Sequence, residues 1–299
     1  MNSSPLSRRR FVVGSALAGA AWATGSAAAA ATGTGKSFRG PVGLQLYSLR
    51  AQFLKDVPGT VAKVAAYGIK EVELAGVPNG FTPSGFRALL KSHGLDPVSW
   101  HTGFDRYRDK PEEVLREAKA LGLRYSGCAS IPHKGKFDAE QAKRTAEMFN
   151  RAGAILSKEG IRMFYHCHGF EFEPGAAGND RFAMDVLIGE TDPRLVCFQM
   201  DILWVTFPGQ DPAAWLAKYP GRWELVHLKD LKPGVATGFH NGGTDPNNDV
   251  VLGTGQMNWP KILKAARKSG VKHYFIEDES VAAPEQIPRS LEFLETVKF

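Results

Sequence analysis

The sequence predicts a (β/α)8 barrel running from about residue 42 to the C-terminus, on three observations. Short β-rich runs alternate with longer amphipathic ones about eight times, the pattern of parallel strands joined by helices. Glycines at 68, 94, 122, 160 and 270 each stand between a helical run and the next strand, where a left-handed residue closes a helix. Polar residues recur at the C-terminal ends of the predicted strands, and the opposite ends carry no such set. Barrels of this kind gather their chemistry on that one face. An open doubly wound sheet usually has fewer strand–helix units, so the count favours closure.

The predicted strands, in order, are Val42–Tyr47, Glu71–Leu74, Val98–His101, Tyr125–Cys128, Met163–His168, Val196–Asp201, Leu225–His227 and Tyr274–Glu277. Helical patterns fall between them at Val57–Tyr67, Gly85–His93, Pro111–Leu121, Ala139–Lys158, Pro212–Tyr219 and Trp259–Ser269. The periodicity is clearest in the fourth of these. There Ala142, Ala146, Phe149, Ala152 and Leu156 share one face. The longest irregular stretch, Leu231–Met257, is rich in Gly, Asn and Asp and follows strand seven on the functional face. A loop of that length in a compact domain is usually functional, and it is expected to close over a substrate.

The first 31 residues read as an export signal. Ser7-Arg8-Arg9-Arg10-Phe11-Val12-Val13 precedes a mildly apolar run and the Ala-rich tract Ala27–Ala31. A basic start, a short apolar region and small residues make a signal peptide, here of the twin-arginine type. The expected organisation is a signal over 1–31, a linker over 32–41 and a barrel over 42–299, with a periplasmic or extracellular destination. Three of the charges behind the net +6 are Arg8, Arg9 and Arg10. Their removal leaves +3, since residues 1–31 hold no Asp or Glu. So modest an excess gives no electrostatic case for a nucleic-acid partner or an anionic membrane. No other apolar run approaches the roughly 20 residues of a spanning helix. Cys128, Cys167 and Cys197 each sit in a short apolar run and read as small core residues, not as a disulfide framework.

The chemistry lies in the strand ends. His101 closes strand three, strand five gives Tyr165-His166-Cys167-His168-Gly169-Phe170-Glu171, and strand six ends Gln199-Met200-Asp201-Ile202-Leu203-Trp204. Strand seven gives His227-Leu228-Lys229-Asp230, and strand eight gives Ile276-Glu277-Asp278. Carboxylates together with imidazoles suit one divalent cation such as Mn²⁺, Mg²⁺ or Zn²⁺. A sulfur ligand is not expected, because Cys167 alternates with His166 and His168 and should face the other side of the sheet.

These segments resemble the xylose isomerase-like superfamily of TIM barrels, which holds sugar isomerases and epimerases and has endonuclease IV among its wider relatives. The resemblance covers residues 42–299 and is most specific at 165–172, 199–204, 227–230 and 276–278. It implies a metal held by Glu, Asp, His and Glu on strands five to eight. Carried over, these are Glu171, Asp201, His227 and Glu277, with His166 or His168 as the alternative on strand five. Many isomerases of the superfamily have Asp-x-x-His on strand six, where this chain has Asp201-x-x-Trp204. That departure counts against the three-metal nuclease site and makes Trp204 a stacking platform for a sugar ring, with core packing as the plainer role.

The activity implied is proton transfer beside a carbonyl through an enediolate, in a metal-dependent isomerase or epimerase acting on a sugar or keto-sugar. Glu171, His166, His168 and Glu277 are candidates to carry the proton, and Lys229 to neutralise oxyanion charge. His101 and Trp204 are expected to bind the substrate. The same intermediate would allow β-elimination, as in a lyase or hydrolase of 3-keto-glycosides. A non-catalytic sugar-binding barrel is the third reading. Relatives in the superfamily are often dimers or tetramers, so the resemblance allows a homo-oligomer, while the sequence itself shows no exposed apolar patch that would decide the oligomeric state.

Overall fold

Eight parallel strands close on themselves: β1 Val42–Gln45, β2 Glu71–Leu74, β3 Asp96–Thr102, β4 Tyr125–Cys128, β5 Arg162–His166, β6 Val196–Asp201, β7 Trp223–Leu228 and β8 His273–Ile276. Each pairs with the next, and β8 pairs with β1 through Val42–Tyr274, Gly43–Phe275 and Leu44–Ile276. The chain is therefore a (β/α)8 TIM barrel. This computed structural model describes residues 42–178, 180–238 and 243–299. The expected signal and linker lie outside the described residues. Among the described residues no helix is long and apolar enough to cross a membrane.

Two of the expected helices, Pro111–Leu121 and Trp259–Ser269, have the predicted bounds. Each ends on a left-handed glycine, Gly122 (φ 75°) and Gly270 (φ 89°). A side chain would strain that backbone. Helix Ala139–Leu156 begins at a capping box between Asp138 and Gln141, which satisfies two otherwise free N–H groups. It buries Ala142, Ala146, Phe149, Ala152 and Leu156 as its periodicity requires. Helices Ala183–Glu190 and Ala283–Thr296 complete the outer layer.

The barrel has two apolar regions. Alternate strand residues such as Tyr165, Phe198, Met200, Val226 and Leu228 belong to the large core that also takes in the helices' buried faces. Cys167 joins that core, on the side the alternation predicts. A separate cluster of Val98, Tyr125, Phe164, Cys197, Leu225 and Phe275 takes one residue from each of β3–β8 and plugs the lumen. Two glycines make room for it. A Cβ on Gly127 would lie 2.1 Å from the Phe164 ring, and one on Gly43 would lie 2.4 Å from Phe275. Because side chains alternate by two along a strand, the residues two places beyond this plug on β5–β8 also point inward. They are His166, Gln199, His227 and Glu277.

The opposite ends of the strands correct one expectation, for they do carry charge. Arg124 pairs with Glu71 (3.1 Å) and Asp96 (2.9 Å), and His273 lies 2.8 Å from Glu71. Glu224 receives Arg162 (3.3 Å), Lys272 (3.0 Å) and the Tyr125 hydroxyl (2.9 Å). Each acid there has a cationic or hydroxyl partner on another strand, so the set ties strands together. Charge is thus present at both ends of the barrel.

Candidate active site

Glu73 organises the mouth of the barrel. It sits one residue from the end of β2 and is fully buried. Gln45 Nε2 donates to its Oε1 (2.8 Å) and Ser99 Oγ to its Oε2 (2.6 Å). Gln199 Nε2 donates to both oxygens (3.1 and 2.9 Å), and His227 Nε2 lies 2.5 Å from Oε1. Burial alone would raise the pKa of such a carboxyl. His101 and His227, with the hydrogen bonds from His227 and Ser99, reverse that and hold it down at about 2. Glu73 is thus an anion in a dry place.

This anion fixes the states of its neighbours. The amide nitrogen of Gln199 is committed to Glu73, so Gln199 Oε1 faces His101 Nε2 and His166 Nδ1, each at 2.8 Å. A carbonyl oxygen can only accept, so His166 must carry its proton on Nδ1. Its Nε2 is then free of hydrogen and faces Asp201 Oδ2 at 3.9 Å. Burial, with the nearby imidazoles of His227, His168 and His101, keeps the His166 pKa well below its usual value. His227 is arranged in the same sense. Nε2 donates to Glu73, while Nδ1 looks toward Glu277 Oε2 (2.8 Å) and Asp201 Oδ2 (3.8 Å). Burial disfavours a charged His227, but the carboxylates of Glu277 and Glu73 outweigh it and raise its pKa.

His166, Asp201, His227 and Glu277 each turn one donor atom to a common point, all within 4.8 Å of one another. Asp201 accepts the backbone N–H of Trp204 on Oδ1 (3.0 Å), whereas its buried Oδ2 accepts no hydrogen bond. The Lys229 ammonium lies 3.4 Å from that oxygen without hydrogen-bonding it, so Oδ2 is an open acceptor in a place that already favours positive charge. Two imidazole nitrogens and two carboxylates, each His held by an acceptor on its outer nitrogen, fit a divalent ion.

Glu171, the strand-five ligand implied by the resemblance, lies apart from this group. The strand ends at His166, and Gly169 (φ 99°) turns the chain into the short 3₁₀ segment Phe170–Phe172. Its carboxylate accepts from the Tyr165 hydroxyl and from the His168 N–H (2.9 Å). Burial raises its pKa.

The remaining expected residues stand around the cluster. Lys229 is buried and forms ion pairs with Glu277 (3.0 Å), Asp201 (3.4 Å) and Glu279 (2.6 Å). Those acids overcome the cost of burial and raise its pKa, so it keeps its charge. His168 is held by burial at a pKa of about 4 and is a neutral imidazole. Trp204 is half-buried, its ring 6.1 Å from that of His168 and 5.8 Å from Lys229 Nζ. His101, His166, His168, Glu277 and Glu279 line a cavity of about 400 Å³ over the cluster.

The loop after β7 is tied at its base. Asp230 takes the N–H groups of Leu231, Gly253, Gly255 and Met257 and the indole of Trp259. Asp230–Leu231 also pairs antiparallel with Asp249–Val250. Gly238 donates to Phe207 (2.8 Å), which brings the loop to the turn of helix that carries Trp204.

The model of the xylose isomerase-like TIM barrel matches residues 61–297. The chain belongs to that family. It is 26% identical over 161 residues to an inosose dehydratase of Clostridium botulinum, an alignment covering 50% of this chain and 52% of the relative. The chain thus spans about half the length of the curated relatives it matches. A sugar phosphate isomerase/epimerase from Parabacteroides distasonis superposes with a TM-score of 0.70 at 25% identity, over 86% of this chain and 93% of that one. The IOLI protein, solved with a zinc atom, has the same fold, with a TM-score of 0.65 at 12% identity over 86% and 99%.

Proposed function

We propose that this barrel is a divalent-metal-dependent enzyme that moves a proton at the carbon beside the carbonyl of a sugar or polyhydroxylated ketone. One observation carries the reading. Two histidines are locked by Gln199 and Glu73 so that their inner nitrogens meet Asp201 and Glu277. His166, Asp201, His227 and Glu277 would hold the ion, which supplies Lewis-acid polarisation of a carbonyl when bound. A neighbour of the same fold was solved with a zinc atom, which agrees with a metal-binding reading.

The chain's own residues supply the rest. Lys229, charged and buried beside Glu277, opposes negative charge developing on a substrate oxygen. His168, neutral and on the cavity wall, takes the proton and returns it. His101 gives a polar wall for the ring, while Trp204 stands beside His168 and Lys229 and is not one of the residues that line the cavity. Glu171 buttresses the His168 turn through that residue's backbone N–H.

Return of the proton to carbon gives isomerisation or epimerisation, the reading that the Parabacteroides neighbour's name supports. Loss of a β-substituent after the same first step gives elimination, which the dehydratase names of the curated relatives support. The twin-arginine reading of residues 7–13 makes an unphosphorylated, extracytoplasmic substrate part of the proposal. Cell fractionation of an Arg8→Lys, Arg9→Lys variant checks it, and unchanged export would remove that part.

The test is solvent exchange. Protein loaded with Zn²⁺, Mn²⁺ or Mg²⁺ is incubated in D₂O with an inosose and with 3-keto-glucosides, followed by proton NMR. Deuterium beside the carbonyl, absent in Asp201→Ala and Glu277→Ala, is the expected result. Ion binding without exchange on any such ketone would leave a sugar-binding barrel as the better account.

A further inference from the structure

A second cavity adjoins the first. It has a volume of about 500 Å³ and shares Tyr47 and Ala75 with the polar pocket as a common wall. Its remaining lining is mainly apolar, with Arg50, Lys55 and Asn79 as its polar members. Leu46 and Phe86 are buried in its floor, and Phe53, Val57 and Val77 form its sides. Among the described residues three large hydrophobic side chains are exposed, and two of them, Tyr47 (43%) and Leu54 (85%), stand at this cavity.

The border residue is fixed. Arg50 lies over the Tyr47 ring at 4.6 Å, and its guanidinium donates to the carbonyls of Tyr47 (3.2 Å) and Glu279 (2.6 Å). Glu279 also meets Lys229, so one short segment touches both compartments. The polar members of the lining are Arg50, already engaged with the Tyr47 and Glu279 carbonyls, and the exposed Lys55 and Asn79. A second sugar turned toward Phe53, Val57, Val77 and Phe86 would therefore leave hydroxyls unmet there, at a cost for each one desolvated. A flat apolar ring has no such cost and gains from burial and from stacking on Tyr47.

We infer that the substrate is a glycoside-like molecule whose sugar lies in the polar pocket and whose aromatic substituent lies in the apolar cavity between Tyr47 and Phe86. The assignment rests on the sugar reading proposed above and narrows it to aryl-substituted substrates. Tyr47 and Val77 then act as specificity residues outside the ion cluster.

The experiment uses the full chain, methyl-labelled for NMR, with 4-nitrophenol, 4-nitrophenyl β-glucoside and methyl β-glucoside as probes. Zn²⁺ is titrated on the same samples. The expected result is that 4-nitrophenol shifts the methyl signals of Leu54, Val57 and Val77. The aryl glucoside should bind about 10-fold or more tightly than the methyl glucoside, the scale set by burying one ring. Val77→Asp should abolish that preference and leave Zn²⁺ binding unchanged. Zn²⁺ binding with equal affinities for the two glucosides overturns the inference and leaves the proposed function standing. Binding of 4-nitrophenol at Val77 without Zn²⁺ binding overturns the substrate assignment together with that function. Conversion of a dimer to a monomer by Leu54→Asp, with the preference intact in the monomer, supports the inference. Loss of 4-nitrophenol shifts in the wild-type dimer, and their appearance only in that monomer, assigns the cavity to a contact between copies and overturns it.

Discussion

Nε2 of His227 lies 2.5 Å from Glu73 Oε1, a carboxylate carried by a strand three places round the barrel wall. The contact crosses the lumen and sets which nitrogen of His227 is left for the ion cluster. Glu73→Gln should keep the shape but remove the anion. Outer partners of ligating histidines contribute about 10–100-fold to metal affinity, so chelator-competition titration should show a loss of that size. An unchanged affinity would show that Glu73 does not orient His227.

Ion binding should release protons. His227 has a pKa raised well above the usual histidine value, with Glu277 opposite Nδ1. That proton must leave before Nδ1 can donate to a cation. Affinity should therefore rise with pH through the neutral range and fall in acid. Calorimetry in buffers of different ionisation enthalpy reads the release directly, and a buffer-independent heat would count against it.

Asp201 has two separable tasks. Oδ1 caps the helix turn through the Trp204 N–H, while Oδ2 accepts no hydrogen bond. Asp201→Asn should keep the cap yet weaken ion binding, whereas Asp201→Ala should lose both. The cap loss should cost about 0.5–2 kcal/mol in denaturant unfolding. Equal stabilities for the two variants would remove the capping role.

The lumen plug should resist filling at Gly127. A Cβ there would meet the Phe164 ring at 2.1 Å. Gly127→Ala should destabilise the barrel by about 1–3 kcal/mol, the usual cost of overpacking. Phe164→Leu in the same chain should recover part of that loss, as a thermal melt of the double variant would show.

Asp185 supplies a pH signature remote from the site. It accepts from Lys218 (2.7 Å), the Tyr219 hydroxyl (2.6 Å) and the Phe182 N–H (3.1 Å). Burial opposes its charge, but these donors prevail and lower its pKa. A lowered carboxylate stabilises the fold above its unfolded value of about 4 and loses that contribution as pH falls below it. Asp185→Asn should therefore lower Tm at pH 7, and the gap from the parent chain should narrow below about pH 4.

Much of this was legible along the chain. Period-two runs and glycine punctuation are local signals, and they located the strands and the rim on which His101, His166, Asp201, His227 and Glu277 meet. Glu73 and Gln199 carried a signal too, as polar residues near the ends of β2 and β6 on the inward face. Their importance rests on contacts across the closed lumen, which no local pattern contains. Which strand-five residue reaches the cluster depends on where the strand stops. Gly169 diverts the chain after His168, so Glu171 folds back onto Tyr165, and His166 stands with the other three donors. The charged lower face was overlooked because its acids and bases are far apart in sequence and meet only through strand pairing, as Arg162 and Glu224 do.

Asp230 gathers five donors at the foot of the loop after β7. The stretch between Lys232 and Asn248 therefore leaves and re-enters the barrel at a fixed gateway, closed by the Lys232 N–H to Asn248 carbonyl bond (2.8 Å). That gateway holds the two ends of the stretch independently of what lies between them. Anchorage and span are thus separate properties of this segment, and length variants between Lys232 and Asn248 are expected to leave the fold's melting temperature unchanged.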